Sequence, residues 1–211
     1  MNLEDPIIYV IDDEAPIRDS LAMLLRSVGL ASTVFADAPT FLAAAPWQQH
    51  ACVIADVRMP GMSGLELQEA LRTRGSALPV IIVTGHGDIG MAVRAMKNGA
   101  ADFIEKPFNG QLLLDAVHRA LALAAAPPVQ ASAAAEGDHD ELERRISSLS
   151  PREHEVMTLV AQGLPNKSVA TRLDLSTRTV EVHRARVMEK MGARSLAELV
   201  RMNIAAGLLK P

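Results

Sequence analysis

Val53-Ile54-Ala55-Asp56-Val57-Arg58-Met59-Pro60-Gly61-Met62-Ser63-Gly64 decides the fold of the N-terminal half. A run of small apolar residues ends in one carboxylate, and a Pro/Gly/Ser turn follows at once. Continuous rather than alternating hydrophobicity marks a strand covered on both faces, as in a parallel sheet. Asp56 then stands at the carboxyl end of that strand, where open α/β sheets place their ligand sites.

Outward from this strand, short apolar runs alternate with helical patterns. Strands are predicted over residues 7–12, 32–35, 80–84 and 102–105. Helices are predicted over 14–28, 38–44, 64–74, 88–97 and 111–124. Ile17, Leu21, Leu24, Leu25 and Val28 recur at helical spacing in the first helix, and Gly29 follows as its stop signal. Five strands alternating with five helices imply right-handed βαβ crossovers and a parallel sheet. The expected architecture is α/β doubly wound and flavodoxin-like, with strand order 2-1-3-4-5.

Past residue 124 the composition changes. Ala-Pro-Pro-Val-Gln-Ala-Ser-Ala-Ala-Ala has no period and reads as linker, with a short charged helix expected over 140–146. From Ser150 the pattern is wholly helical. Ser150-Pro151-Arg152-Glu153 has the Ser, Pro and Glu of a capped helix start. Asn166 and Ser176 are read as the caps of the next two helices, and a fourth follows over 195–206. The expected organisation is an α/β domain over 5–124, a linker over 125–148 and a separate all-α four-helix domain over 149–211.

Length and composition suit two small domains with aliphatic cores: hydrophobic residues make up 49% of the 211, aromatic residues only 3%. Cys52, the single cysteine, excludes an intrachain disulfide and reads as a buried thiol. No signal peptide or membrane span is apparent, so a cytoplasmic location is expected. The net charge of −4 is unevenly divided: residues 151–211 hold 10 Lys and Arg against 6 Asp and Glu. A basic end on an acidic chain fits a polyanion partner, although a solvated basic face has the same composition.

Five polar side chains fall at strand ends that a doubly wound sheet brings to one edge. They are Asp12 and Asp13 after the first strand, Asp56 after the third, Thr84 after the fourth and Lys106 after the fifth. Three packed carboxylates call for a cation, and their hard oxygens suit Mg²⁺. A carboxylate so placed can act as nucleophile toward a phosphoryl group, with metal and lysine neutralising the charge that develops. With Lys106-Pro107 closing the last strand, residues 5–124 resemble the receiver domain of two-component response regulators. That resemblance implies Asp56 as phosphoacceptor. It implies Asp13 and Asp56 as side-chain Mg²⁺ ligands, the Arg58 carbonyl as a backbone ligand and Asp12 as a water-mediated one. Thr84 would be the switch hydroxyl, Phe103 the switch aromatic and Lys106 the phosphate-pairing lysine, with a cis peptide before Pro107.

Residues 166–173, a short turn and residues 176–191 have the spacing of a helix-turn-helix. The polar face of the second helix shows Thr177, Arg178, Thr179, Glu181, His183, Arg184, Arg186 and Lys190. Gly163-Leu164-Pro165-Asn166-Lys167-Ser168-Val169-Ala170, followed by Ser176-Thr177-Arg178-Thr179-Val180-Glu181-Val182-His183, resembles the LuxR-type DNA-binding domain. The resemblance puts Glu181, Val182 and Ala185 in the groove and Lys167, Thr179, His183 and Arg186 on phosphates. Glu181 is acidic where some relatives carry lysine; as an acceptor it suits cytosine N4, and solvation is the alternative.

Together the halves resemble the FixJ/NarL class of response regulators, closest to its nitrogen-fixation members. The resemblance implies a sensor histidine kinase docking near Pro16, Ile17 and Leu21, double-stranded DNA as target, RNA polymerase as a further partner and no enzymatic activity. Phosphorylation would add about −1.5 to −2 charge at Asp56 and draw in Thr84 and the loop 85–88. Phe103 would turn inward, and a homodimer would form through the fourth helix and fifth strand, with Val93 and Lys97 as contacts. Two rivals are an enzyme of flavodoxin or phosphatase type, for which flavin-binding aromatics and a dedicated acid/base pair are missing, and an adaptor whose helical end docks protein.

Overall fold

The structure, a computed structural model, describes residues 5–85, 89–125 and 135–209. The N-terminal half alternates β1 (Ile7–Ile11), α1 (Ala15–Ser27), β2 (Ala31–Phe35), α2 (Ala38–Ala43), β3 (Ala51–Asp56), α3 (Gly64–Thr73), β4 (Val80–Thr84), α4 (Ile89–Lys97), β5 (Asp102–Glu105) and α5 (Gly110–Ala125). All strand pairs are parallel and the sheet order is β2-β1-β3-β4-β5, the predicted topology.

Each residue of β1, β3 and β4 is buried, the signature of strands covered on both faces. On one face Ile8, Val10, Cys52, Ile54, Ile81, Val83 and Ile104 meet Leu21 and Leu25 of α1 and Leu113 and Val117 of α5. Cys52 is fully buried, and that burial pushes its thiol up to about 12, which makes it inert packing. At the β2 side, Tyr9, Phe35 and Phe41 form a cluster in which Phe35 meets Phe41 edge-on and Tyr9 is tilted against both, with Trp47 stacked on Phe41 at 5.1 Å. Four of the chain's six aromatic rings are therefore concentrated there.

The C-terminal half is helical: α6 (Ala135–Ser147), α7 (Pro151–Ala161), α8 (Asn166–Leu173), α9 (Thr177–Met191) and α10 (Leu196–Ala205). The described residues divide into two compact units, one taking the chain up to β4 together with β5 and α5, the other taking α4 with α6–α10. Val156, Met157, Val160, Val169, Val180, Val187, Met191 and Leu199 form the core of the helical domain. Ser150 accepts from the Glu153 N–H while Glu153 reaches back to Ser150, the expected capping box. Ser176 caps α9 and Gly192, at φ +65°, ends it.

Two expectations change. Asn166 is the first residue of α8 rather than its cap: extended Pro165 holds the cap position, and its carbonyl accepts from Ser168 and Val169. A proline has no N–H to satisfy, which suits it to a helix entrance. The charged stretch 140–146 is part of the longer α6, and Leu142 and Ile146 pack into the helical core. That core thus begins inside the stretch read as linker. The Pro-rich part of that stretch and the loop positions 86–88 lie outside the described residues.

Candidate functional site

Parallel strands end together, so the residues just past β1, β3, β4 and β5 share one rim. The hydrogen bonding continues a step beyond the strands: Val57 N–H donates to the Val83 carbonyl at 3.0 Å, and Lys106 N–H to the Thr84 carbonyl at 2.7 Å. These bonds fix the backbone from which Asp56, Thr84 and Lys106 project.

On that rim the Lys106 ammonium lies 2.8 Å from Asp12 Oδ2 and 2.9 Å from Asp56 Oδ1. Both carboxylates are buried, Asp12 at 3% and Asp56 at 7% exposure, so each needs its charge compensated. The second oxygen of Asp56 accepts the Arg58 N–H, and Asp12 Oδ1 accepts the Glu14 N–H at 2.9 Å. Burial of Lys106 works against its charge, but bonds to Asp12 and Asp56 outweigh it and raise its pKa above the ordinary lysine value. Lys106 is held as a cation between two anions.

Thr84 is fully buried at the neighbouring strand end, and Phe103 is buried at 8% exposure. The expected inward turn of Phe103 thus starts from a ring already inside. Asp13 is exposed beside the rim, as is Arg58. Three packed carboxylates were expected; the structure brings together two and a lysine. Among the described residues no three acidic, histidine or cysteine side chains are grouped to hold a metal. The peptide before Pro107 is cis, as expected, and so is that before Pro46.

Two contributors escaped the sequence reading. Arg18 on α1 donates to the Asp12 backbone carbonyl at 2.6 Å, tying the loop after β1. Gly64 opens α3 so close to β3 that a Cβ there would lie 2.4 Å from the Asp56 carbonyl oxygen. A Gly in the turn quoted above was the only available signal.

In the helical domain, Lys167, Thr177, Arg178, Glu181, Val182, Ala185 and Arg186 are exposed. Val182, 47% exposed, is an apolar side chain in the middle of a polar face. Thr179 is half-buried with its hydroxyl 2.8 Å from Ser176 Oγ. Arg184 is half-buried and leans toward Asn166 Oδ1 at 3.4 Å. His183 Nδ1 is buried and takes no hydrogen bond from the described residues. Lys190 is exposed but engaged: its ammonium sits 2.6 Å from Glu153 Oε2 and 3.1 Å from the Ser148 carbonyl. Of the expected dimer contacts, Val93 is buried on α4 and Lys97 half-buried. Of the expected kinase contacts, Leu21 belongs to the core, Ile17 packs against it and Pro16 is exposed.

The response regulator receiver domain family matches residues 8–118, and the LuxR family of bacterial regulatory proteins matches residues 147–203. The chain belongs to the two-component response regulators. This response regulator is 48% identical over 202 residues to the transcriptional regulatory protein FixJ of Bradyrhizobium diazoefficiens, spanning 96% of each chain. It is 46% identical over 205 residues to FixJ of Rhizobium meliloti, spanning 97% and 98%. The crystal structure of full-length FixJ from B. japonicum aligns over 96% of this chain and 98% of that one, at 47% identity and TM-score 0.54. The response regulator StyR aligns at TM-score 0.55 and 44% identity over 94% and 98%. The family is one of transcription factors and is not normally enzymatic. Among the described residues no helix is long and apolar enough to cross a membrane.

Receiver domains generally bind Mg²⁺ at the phosphorylation site. The donor chemistry here fits: two buried carboxylates present hard oxygens, and both hold a cation, the Lys106 ammonium. Mg²⁺ takes one or two carboxylates and keeps several waters, so a third packed carboxylate is not needed. Asp13 and Asp56 would hold it, with the Arg58 carbonyl as a backbone ligand and Asp12 acting through a water.

Proposed function

We propose that this response regulator is a transcription activator switched by phosphorylation of Asp56 by a sensor histidine kinase. The observation that carries the reading is Lys106 bridging Asp12 and Asp56 at 2.8 and 2.9 Å in a buried corner. An Asp56 oxygen attacks phosphorus, the bond from phosphorus to the kinase histidine nitrogen breaks, and the nitrogen keeps the electron pair. Mg²⁺, when bound, supplies positive charge for the phosphoryl oxygens. Lys106 adds a second positive charge and orients the acceptor. The Thr84 hydroxyl, one strand away, is placed to bond a phosphoryl oxygen. The Arg58 N–H fixes the rotamer of Asp56.

The phosphorylated receiver, residues 5–124, then pairs with a second copy through α4 and β5, a homodimer in which Val93 and Lys97 take part. The chain between α5 and α6 carries that change to the DNA-binding domain, whose core α6 joins. Moving the population from 1:99 to 99:1 takes about 5.5 kcal/mol of differential stabilisation. The paired α9 helices read a two-fold DNA site. Glu181, Val182 and Ala185 face base edges. Lys167, Thr177, Arg178, Thr179, His183, Arg184 and Arg186 face phosphates and engage them to different extents. The similarity to FixJ supports nitrogen-fixation or microaerobic genes as targets, RNA polymerase as the downstream partner and the cytoplasm as the site of action.

Sedimentation of the full chain with Mg²⁺ and acetyl phosphate tests the switch. The wild type is expected to shift from monomer to dimer and the Asp56→Asn variant to stay monomeric; a variant that dimerises like the wild type would overturn the reading.

A further inference from the structure

The C-terminal end of α9 carries a set of bonds that the functional reading leaves unused. Helix ends expose four carbonyls without intrahelical partners, and these attract cations. Arg145 of α6 meets this need: its Nη1 donates to the Met191 carbonyl at 2.8 Å while its Nε bonds Glu141 at 2.9 Å. Space for the guanidinium exists because residue 192 is glycine. A Cβ there would lie 2.7 Å from Arg145 Nη1. One residue earlier than Met191, Lys190 is tied to Glu153, whose side chain is only 4% exposed and whose Oε2 also accepts the Ser150 N–H at 2.8 Å. α6 is itself anchored by Leu142 and Ile146. One end of the recognition helix is thus clamped to α6 and to the entrance of α7.

The geometry points to Arg145 as a positioning residue for DNA recognition, acting through the Met191 carbonyl. Lys190, although on the polar face of α9, is engaged by Glu153 and the Ser148 carbonyl, which assigns it to the clamp. This rests on the reading of α9 as the recognition helix. Glu181 and Met191 are ten residues apart, so at 1.5 Å rise a tilt of about 10° at the clamp displaces Glu181 by about 2.6 Å. That is enough to break base-edge hydrogen bonds.

Fluorescence anisotropy of the full chain, phosphorylated with acetyl phosphate, on a short duplex enriched from a random pool by the wild type tests the assignment across a salt series. Arg145→Gln is expected to weaken binding about tenfold, the equivalent of one hydrogen bond to a charged group. It should leave the slope of log K against log salt at its wild-type value. Amide exchange in the last turn of α9 should accelerate, and Arg145→Lys, which restores a charged donor, should recover most of the affinity. A slope reduced by about 0.9 would make Arg145 a phosphate contact and overturn the proposal; so would unchanged affinity. Arg186→Gln is the control and should lose that same slope increment. Its failure to do so indicts the phosphate assignment rather than the clamp, and a wild type that binds no duplex refutes both. If the Arg145→Gln domain melts below assay temperature, Lys190→Gln decides: a lysine that serves the clamp lowers affinity and leaves the slope unchanged, whereas a reduced slope makes it a phosphate contact and overturns the proposal.

Discussion

Replacing Lys106 by methionine removes the cation between Asp12 and Asp56 and keeps most of the stem. At an effective dielectric of about 20, each of the contacts at 2.8 and 2.9 Å amounts to about 6 kcal/mol of Coulomb attraction. Most of that is offset by the desolvation of three charged groups, and breaking a buried pair costs about 3–5 kcal/mol net. The Lys106 side chain is 17% exposed, which favours the low end, about 3 kcal/mol. For a domain of this size that is a fall of about 10 °C in melting temperature. Two uncompensated carboxylates should then welcome a divalent cation. A ligand at a hundred times its dissociation constant contributes about 2.7 kcal/mol, so Mg²⁺ should raise the variant's melting temperature by more than the wild type's, in which the ammonium already occupies the corner. Calorimetry of both full chains, first with chelator and then with Mg²⁺, reads the receiver transition. A variant that melts at the wild-type temperature under chelator, or gains no more from Mg²⁺ than the wild type, would refute the reasoning.

Gly64→Ala should cost about 2 kcal/mol, because its Cβ meets the Asp56 carbonyl oxygen at 2.4 Å and the backbone must move; labelling by acetyl phosphate should fall with it, measured by intact-protein mass. Glu153 is pulled down to about 2, first by the Lys190 bond and then by the Ser150 N–H. A depressed folded-state pKa means the unfolded chain takes up the proton first, so this stabilisation is complete above the ordinary value of 4.5 and is lost as pH falls from there toward 2. Denaturant titrations of the wild type and Glu153→Gln should diverge above pH 4.5 and converge below it. Asp102→Asn keeps the acceptor for Phe103 N–H but weakens the 2.6 Å pair with Arg119, whose side chain is 42% exposed; about 1 kcal/mol should be lost in urea unfolding.

The sheet was legible because its determinants are local and repeated. Apolar runs of strand length alternate with helical periods, and the handedness of crossovers leaves few ways to order five parallel strands. The rim was legible for the same reason, since Asp12, Asp56, Thr84 and Lys106 each sit at or just past a strand end. What stayed hidden depends on partners distant in sequence. Lys190 looks like any solvated cation until Glu153, 37 residues away, is placed beside it. Arg18 shows no motif, and its partner is a backbone carbonyl. α6 was underestimated because Ala-rich and charged residues carry weak periodicity, although Leu142 and Ile146, four residues apart, are a minimal apolar stripe. Asp12 and Asp13 follow β1 directly, yet the first is buried and the second exposed, a difference that adjacency in the sequence does not show.

The bonding at the rim also constrains how a phosphoryl group can be felt elsewhere. Lys106 has two anchors: its ammonium on the carboxylates and its N–H on the Thr84 carbonyl. An arriving phosphoryl group competes for the ammonium, because its oxygens carry more charge than the carboxylate they replace. Whatever adjustment the Lys106 stem makes is referred directly to the Thr84 backbone, and the Thr84 hydroxyl is the neighbouring donor with a reason to move. Thr84 ends β4 and Lys106 directly follows β5, and the bond between their backbones makes the tips of the two strands respond as one unit. Asp12 loses the ammonium as well, but its other carboxylate oxygen still accepts the Glu14 N–H and its carbonyl still accepts from Arg18, which restrains the tip of β1. On the proposed phosphorylation of Asp56, a change at the rim would therefore meet less restraint at the tips of β4 and β5 than at that of β1, the side on which α4 and β5 are proposed to pair.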